Sequence, residues 1–213
     1  KLMPESNAAT NSLGSTYFLM GRYEDAAAAW ERALQGKAET DLYANLGSSY
    51  FFLGRFDKAV TYYRKALDLA PEPYENWGNL ADAYRHSPSR ADLAPAAYER
   101  AIALAEEHIQ INPSDAVAIA ALGHYQACLG RREQSLQSIG LARELAQKDM
   151  FVYYFSATAL CALDEGKRAL NAIRNAISLG YPPHMVEADA GLSCLNELPG
   201  YRDVLNSGIE EDI

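Results

Sequence analysis

Cysteine and histidine are the residue types in this sequence that could bind a metal ion or attack a substrate. The three cysteines are Cys128, Cys161 and Cys194. The four histidines are His86, His108, His124 and His184. The cysteines lack the CxxC spacing of a zinc site, and the histidines lack the HxxxH spacing that places two ligands on one helix face. We therefore predict no metal site, and three free thiols in a reducing compartment in place of a disulfide framework.

No arrangement typical of a catalytic centre follows from the sequence. No serine stands in a nucleophile elbow, no cysteine and histidine form a pair, and no phosphate-binding glycine loop follows a strand. We predict that the chain is not an enzyme and that it binds no cofactor. The intervals between the cysteines are equal, since 161 − 128 and 194 − 161 are both 33 residues. A repeated unit of about that length explains this spacing better than a metal site does.

A pattern of leucine, glycine, aromatic and alanine residues recurs along the chain. The copies are marked by Leu13-Gly14, Leu46-Gly47, Leu80-Ala81, Leu122-Gly123 and Ser156-Ala157. Successive copies are separated by 33, 34, 42 and 34 residues. The fifth copy keeps the pattern least well.

The second copy has the periodicity of two helices. Tyr43, Leu46, Gly47 and Tyr50 fall on one face of a first helix, which Gly54 ends. Asp57 can cap a second helix, whose own stripe is Ala59, Tyr63 and Ala66. Small residues at Gly47 and Ala59 allow the two helices to approach closely. Because one hairpin cannot bury this much apolar surface alone, the copies must stack.

This pattern resembles the tetratricopeptide repeat (TPR), a 34-residue helix-turn-helix unit, over residues 7 to 182. The resemblance implies an all-α fold, a right-handed α-solenoid of about five TPR hairpins with C-terminal capping helices. The predicted repeats are 7–39, 40–73, 74–115, 116–149 and 150–183 within an array at 7–183. A cap at 184–205 and a disordered tail at 206–213 follow.

Two segments depart from the period. The third repeat is longer than the others, which predicts an extended second helix from about Asp92 to Ile111. Its projecting end is either a lever for a partner or an overhang without a role. The string from Glu187 to Leu205 is similar to the tail that closes TPR arrays in bacterial multidomain signalling proteins, such as those with a Ser/Thr kinase, an adenylate cyclase or a winged-helix regulator.

The resemblance also implies that the first helix of each hairpin lines a concave groove that holds a peptide. The groove residues predicted in this way are Asn11, Ser15, Phe18, Asp41, Asn45, Ser48, Phe51, Phe52, Asn79, Asp82 and Arg85. Asn45 and Asn79 are equivalent, and their amides suit a peptide backbone, although a structural role fits that position equally well. Phe51 and Phe52 cannot both face the interior, so one of them should be partly exposed.

The carboxylate clamp of chaperone-binding TPR domains requires lysine and arginine on consecutive first helices. Those places hold Asn11, Ser15, Glu75 and Asn79 here. A ligand with a C-terminal Glu-Val-Asp motif is therefore disfavoured.

The predicted function is a non-catalytic protein–protein interaction module that binds a partner polypeptide in this groove. The alternative is an assembly role, with the array as a spacer or self-association surface of a larger bacterial signalling protein. The net charge of −9, with 19 basic and 28 acidic residues, argues against nucleic acid as a partner. Without long apolar runs we expect no membrane insertion and a cytoplasmic location. The start at Lys1-Leu2-Met3-Pro4 resembles that of a fragment, whose parent protein could carry a signal or anchor.

Overall fold

The computed structural model describes residues 7–35 and 39–207, and these form helices and short connections without any strand. The all-α fold class is therefore confirmed for this part of the chain. Of the predicted tail, Asn206 closes the last helix and Ser207 follows it, while residues 208–213 lie outside the described residues. Contacts between Cα atoms divide the chain into two compact units, Lys1–Ala94 and Pro95–Ile213.

The described residues of the amino-terminal unit form five successive α-helices before Ala94. They are α1 (Asn7–Leu19), α2 (Tyr23–Ala33), α3 (Thr40–Phe52), α4 (Phe56–Leu69) and α5 (Tyr74–His86), and a 3-10 helix at Ala91–Leu93 follows. Helices α1 and α2 pack as one hairpin and α3 and α4 as the next, while α5 packs on α4. Each of the first three predicted repeat windows thus begins with a first helix of this unit.

Glycine shapes these hairpins in two ways. Gly21 and Gly54 have φ angles of 73° and 67°, the left-handed conformation that ends α1 and α3 and turns the chain into the second helix. Gly14 and Gly47 sit inside α1 and α3, where a Cβ atom would lie 2.5 Å from the Trp30 ring and 2.6 Å from the Tyr63 ring. The predicted close approach at Gly47 is confirmed.

The carboxy-terminal unit contains the remaining helices. They are α6 (Ala94–Ile111), α7 (Ala116–Cys128), α8 (Arg132–Leu145), α9 (Met150–Ala162), α10 (Gly166–Ser178), α11 (Pro183–Ala188), a 3-10 helix at Ala190–Leu195 and α12 (Tyr201–Asn206). Helices α7 and α8 pack as one hairpin, and α9 and α10 as the next. One buried cluster extends from α9 and α10 into α11, the 3-10 helix and α12, and it includes Val186, Leu192, Leu195 and Tyr201.

The extended helix predicted in the third repeat is present as α6. It has 18 residues, against 14 in α4 and in α8, and it ends at Ile111 as predicted. It begins at Ala94 and not at Asp92, because Ala91–Leu93 forms a turn of 3-10 helix first. Its far end contacts the next element, since Ile109 packs against the cluster around α7. His108 Nε2 lies 2.8 Å from Asp115 Oδ2 at the start of α7.

The prediction of three free thiols is wrong. Cys161 of α9 and Cys194 of the 3-10 helix form a disulfide, with their Cα atoms 5.6 Å apart, and Cys128 is the free cysteine. The 3-10 helix packs on α9, so residues one repeat period apart in sequence come into contact. The same period that explains the spacing therefore also brings the two sulfur atoms together. With one free cysteine among the described residues, the thiols no longer indicate a reducing compartment, and the cytoplasmic location stays a prediction.

A hydrogen bond also holds the carboxy-terminal segment to α9. The Tyr154 hydroxyl donates to Asp189 Oδ2 at 2.7 Å, while Asp189 Oδ1 accepts from the Gly191 amide at 2.8 Å. Asp189 is 5% exposed, so both oxygens of a buried carboxylate are satisfied: Oδ2 joins the segment to α9, and Oδ1 caps the 3-10 helix that follows. Among the described residues, no helix is both long enough and apolar enough to span a bilayer.

Candidate functional site

The predicted groove residues all lie on three helices of the amino-terminal unit. Asn11, Ser15 and Phe18 are on α1, the five residues from Asp41 to Phe52 are on α3, and Asn79, Asp82 and Arg85 are on α5. These are the first helices of three successive repeats, and α3 contacts α5 directly. We call the surface formed by these residues the first-helix face.

Asn11 and Ser48 bind to the second helix of their own hairpins. The Trp30 indole N–H donates to Asn11 Oδ1 at 2.8 Å and approaches its backbone oxygen at 3.2 Å. Ser48 Oγ lies 3.0 Å from the Tyr63 hydroxyl and donates to the Ala44 carbonyl at 3.1 Å. Both polar groups thus satisfy a buried aromatic residue, which leaves less of their hydrogen-bonding capacity for a ligand.

Asn45 and Asn79 differ from this pair. Both are half-buried, and neither makes a side-chain hydrogen bond with any residue that the structure describes. They lie on α3 and α5 at equivalent places, 34 residues apart. Each carboxamide keeps an acceptor oxygen and a donor nitrogen for a bound molecule.

Aromatic rings join the carboxyl ends of α1 and α3. The Phe52 ring is half-buried, stacks on Tyr23 at 5.2 Å and meets the edge of Phe18 at 5.5 Å. Phe51 is only 9% exposed and packs against Phe56 and His86. Of the two phenylalanines, Phe52 is therefore the more accessible. Leu19 is 64% exposed directly after Phe18, which adds apolar surface at this end.

Charged and polar residues complete the first-helix face. Ser15, Asp41 and Arg85 are exposed, and Asp82 is half-buried three residues before Arg85. Ser15 Oγ donates to the Asn11 backbone oxygen at 3.3 Å. The face therefore carries carboxylates, a guanidinium, three amides and an apolar end within one unit.

A row of tyrosines on the same unit was not predicted as a polar cluster. The hydroxyls of Tyr50 and Tyr62 both donate to Glu31 Oε1, at 2.8 and 3.3 Å, and their rings stack at 5.4 Å. Burial, followed by the hydrogen bond to Glu31 and its negative charge, raises the pKa of Tyr50 to about 12. Lys58 lies 4.8 Å from the centre of the Tyr50 ring. The row joins α2, α3 and α4, so we assign it to packing between hairpins.

One pair in the carboxy-terminal unit corrects the prediction that no cysteine lies beside a histidine. Cys128 Sγ is 3.8 Å from both ring nitrogens of His124. The two residues are four apart on α7, a spacing that puts them on one helix face, and His124 is 4% exposed. The i, i+4 spacing was the signal in the sequence.

Tandem helical hairpins with close glycine–aromatic contacts define the class of this protein as an all-α helical-repeat protein. Tetratricopeptide repeat family models match residues 5–72 and residues 45–116. The chain therefore belongs to the tetratricopeptide repeat family. Comparison with curated protein sequences gave no match.

Solved structures show the same fold. The chain is similar to TTC0263, a thermophilic TPR protein from Thermus thermophilus, with a TM-score of 0.63 and 18% identity over 96% of this chain and 99% of that one. It is also similar to MamA (41-end) from Desulfovibrio magneticus RS-1, with a TM-score of 0.51 and 18% identity over 83% and 96% of the two chains. At these identities the likeness is one of fold. TPR proteins are generally non-catalytic, and the fold suggests a protein–protein interaction module.

Proposed function

We propose that this chain is a non-catalytic module that binds an extended segment of a partner polypeptide on the first-helix face. The observation that carries the proposal is the pair Asn45 and Asn79, whose amides stand at equivalent places without a hydrogen bond among the described residues. An asparagine amide can donate to and accept from a peptide backbone at once. Two such amides on neighbouring helices hold a backbone with little dependence on its sequence.

Selectivity comes from the surroundings of the two amides. Phe52 and Leu19 offer apolar surface at one end of α1 and α3, where an apolar side chain of the partner can be buried. Asp41 adds a carboxylate to α3. With the chain at a net charge of −9, a neutral or basic peptide with an apolar side chain is the ligand that this face fits best.

The test begins with a peptide library displayed on phage, panned on the full chain. The best sequence is then synthesised and titrated by calorimetry. The double variant Asn45→Ala/Asn79→Ala should bind it roughly thirtyfold more weakly, since two hydrogen bonds contribute about 1 kcal/mol each. Helical circular dichroism should not fall, because alanine favours a helix interior. Phe51 is left unchanged, because its ring is part of the core.

The matched control is Asn171→Ala/Asn175→Ala, which removes two exposed amides from α10 in the other unit. Its affinity for the peptide should equal that of the unaltered chain. If Asn45→Ala/Asn79→Ala binds as tightly as the control, the first-helix face is not the site. If panning selects no peptide and light scattering shows a dimer that grows with concentration, the assembly role replaces the proposal.

A further inference from the structure

The fourth repeat carries an arginine where the other repeats carry an aliphatic residue. The residue after the aligned alanine of each second helix is Leu34, Leu67, Ile102, Arg143 and Ile177 in the five repeats. Leu67, Ile102 and Ile177 are 8%, 5% and 6% exposed. A guanidinium at this position loses hydration without the gain from apolar burial, so it departs from the packing rule of the array.

The residue facing Arg143 departs from the rule as well. Ser156 takes the place of the leucine that marks the other four repeats, and it is fully buried in α9. Arg143 Nε donates to Ser156 Oγ at 3.1 Å, and Ser156 Oγ donates to the Val152 carbonyl at 2.7 Å. A polar pair has thus replaced an apolar pair in the layer between two hairpins. The serine hydroxyl thus holds the Nε edge of the guanidinium.

The two terminal amino groups of Arg143 are not fully buried. They make no hydrogen bond with the described residues, and no carboxylate of those residues lies within salt-bridge distance of them. Four other arginines that the structure describes in this unit pair with acids; Arg168 and Arg132, for example, both bind Glu165. Burial, and to a lesser degree the charge of Arg168, lower the pKa of the Arg143 guanidinium, while Tyr153 opposes the shift. The Tyr153 ring lies 5.6 Å from the guanidinium carbon.

Open space lies on α8 three residues before Arg143. Gly140 precedes Arg143 by one helical turn, and a Cβ atom built on it would meet nothing within 4 Å. The equivalent residues of the other repeats are long and charged, namely Glu31, Arg64, Glu99 and Arg174. A missing side chain and a cation with no acidic partner among the described residues therefore stand next to each other on α8.

We infer that Arg143, with Ser156, Tyr153 and the gap at Gly140, forms a binding site for a single peptide carboxylate. The terminal amino groups of a guanidinium match the two oxygens of a carboxylate. One cation suits one negative charge, whereas a phosphate dianion would need further donors in a chain of net charge −9. The site lies in the carboxy-terminal unit on a second helix, so it is separate from the first-helix face and does not depend on it.

Nuclear magnetic resonance of the full chain, labelled with ¹⁵N-arginine, tests the site through the Nε–Hε signal of Arg143. Acetyl-Ala-Glu-Ala-amide carries a side-chain carboxylate, and acetyl-Ala-Ala-Ala with a free end carries a terminal one. At least one of them should shift the signal to saturation, which identifies the source of the carboxylate. Acetyl-Ala-Gln-Ala-amide should not shift it. Lack of a saturable shift with both carboxylate peptides, or saturation at lower concentration with inorganic phosphate, would overturn the assignment.

Variants separate ligand binding from a purely structural role. Arg143→Leu restores the residue type of the other repeats, so it should keep or raise the melting temperature while affinity for the carboxylate peptide falls at least tenfold. Arg143→Lys keeps the charge but not the paired donors, and should weaken binding at least fivefold. Arg174→Gln, which removes an exposed cation from α10, should change the affinity less than twofold. Equal losses in Arg143→Lys and Arg174→Gln would show that binding is only general attraction between charges.

Discussion

Trp30 and Tyr63 show how one side chain joins the two helices of a hairpin. Each ring lies against a glycine of the first helix, Gly14 or Gly47. Each polar atom is satisfied by that helix as well, through Asn11 for the indole and Ser48 for the phenol. A buried aromatic with a polar atom thus needs both a gap and a partner at the same place.

Gly47→Ala should destabilise the chain. Its Cβ would lie 2.6 Å from two atoms of the Tyr63 ring, and that ring is 2% exposed and has no room to retreat. Overpacking of this kind costs about 1 to 3 kcal/mol. Urea denaturation followed by circular dichroism measures the change in the free energy of unfolding.

Gly140→Ala is the matched control on a helix of the other unit. Its change in the free energy of unfolding should have the opposite sign. The new methyl group meets nothing within 4 Å, and alanine favours a helix by up to about 1 kcal/mol over glycine. A Gly47→Ala chain as stable as the unaltered one would contradict the close contact between α3 and Tyr63.

The close contact between Gly47 and an aromatic residue could be predicted from the sequence, whereas the partners of Asn11 and Ser48 could not. The leucine-glycine pair and the aromatic residue of the second helix both recur with the repeat, so the contact at Gly47 could be predicted. Whether the Asn11 amide faces a ligand or an indole depends on how far Trp30 reaches from another helix. The spacing of residues along α1 carries no information about that distance. For the same reason Asn45 and Asn79 could be placed on the face, but their open hydrogen-bonding capacity is seen only in three dimensions.

Asp115 ties the ends of two helices together in the carboxy-terminal unit. Its Oδ1 accepts from the Ala118 amide at 3.0 Å as the cap of α7, and its Oδ2 lies 2.8 Å from His108 near the end of α6. Asp115→Ala should therefore lower the free energy of unfolding at pH 7 by about 1 kcal/mol, the usual effect of a lost N-cap. Thermal denaturation gives the difference, and exposed Asp68→Ala on α4 serves as the control.

The effect of Asp115→Ala on the free energy of unfolding should depend on pH. Burial acts to raise the pKa of Asp115, but hydrogen bonds from the Ala118 and Val117 amides and from His108 outweigh it, so the pKa is below its ordinary value of 3.8. The folded chain then binds fewer protons than the unfolded chain as the pH falls through this range. The stabilisation is complete well above pH 4 and is lost as the pH falls through the folded pKa. If the free energies of unfolding of Asp115→Ala and the unaltered chain differ by the same amount from pH 6 to pH 3, the predicted pH dependence is wrong.

The disulfide between α9 and the 3-10 helix should contribute strongly to the stability of its unit. It links residues 33 apart in sequence. Closing a loop of that size lowers the entropy of the unfolded chain, which stabilises the folded chain by about 3 to 4 kcal/mol. Scanning calorimetry with reductant, or of Cys161→Ala/Cys194→Ala without it, should show a lower melting temperature. In Cys128→Ala, reductant should lower the melting temperature by as much as it does in the unaltered chain.

Thiol titration of the denatured chain checks the pairing itself. One thiol, that of Cys128, should react before reduction and three should react afterwards. Three reactive thiols before reduction would restore the free-thiol prediction from the sequence.

The boundaries of the helices could be predicted from the sequence better than the contacts between helices. Gly54 ends α3, Asn112-Pro113 follows the end of α6, and the residues added to the third repeat lengthen α6 as the altered period indicates. The segment 184–205 was predicted to lie outside the period, but its disulfide was missed. Equal cysteine spacing is compatible with stacked but separate thiols, and only the path of the chain after α11 brings Cys194 onto α9.

Charge is the property of the whole molecule that bears most on its partners. With a net charge of −9, the chain should not bind a DNA duplex of about 20 base pairs, because phosphate binding requires clustered basic residues. Fluorescence anisotropy of the labelled duplex should stay flat at about 50 mM salt. A rise that disappears at about 200 mM salt would reveal a basic surface and contradict the prediction.

The Cys161–Cys194 bond also determines how the molecule would respond to a pulling force. Tension applied at the carboxyl end travels back along the chain to Cys194 and then crosses the covalent bond to Cys161 in α9. The residues between them, which include all of α10 and α11, lie on a closed loop outside this load path. In the oxidised chain only the segment after Cys194 can be drawn out first, and the last hairpin resists extension until α9 itself yields. Reduction would return α10 and α11 to the load path and add the length of that loop to the extension of the chain.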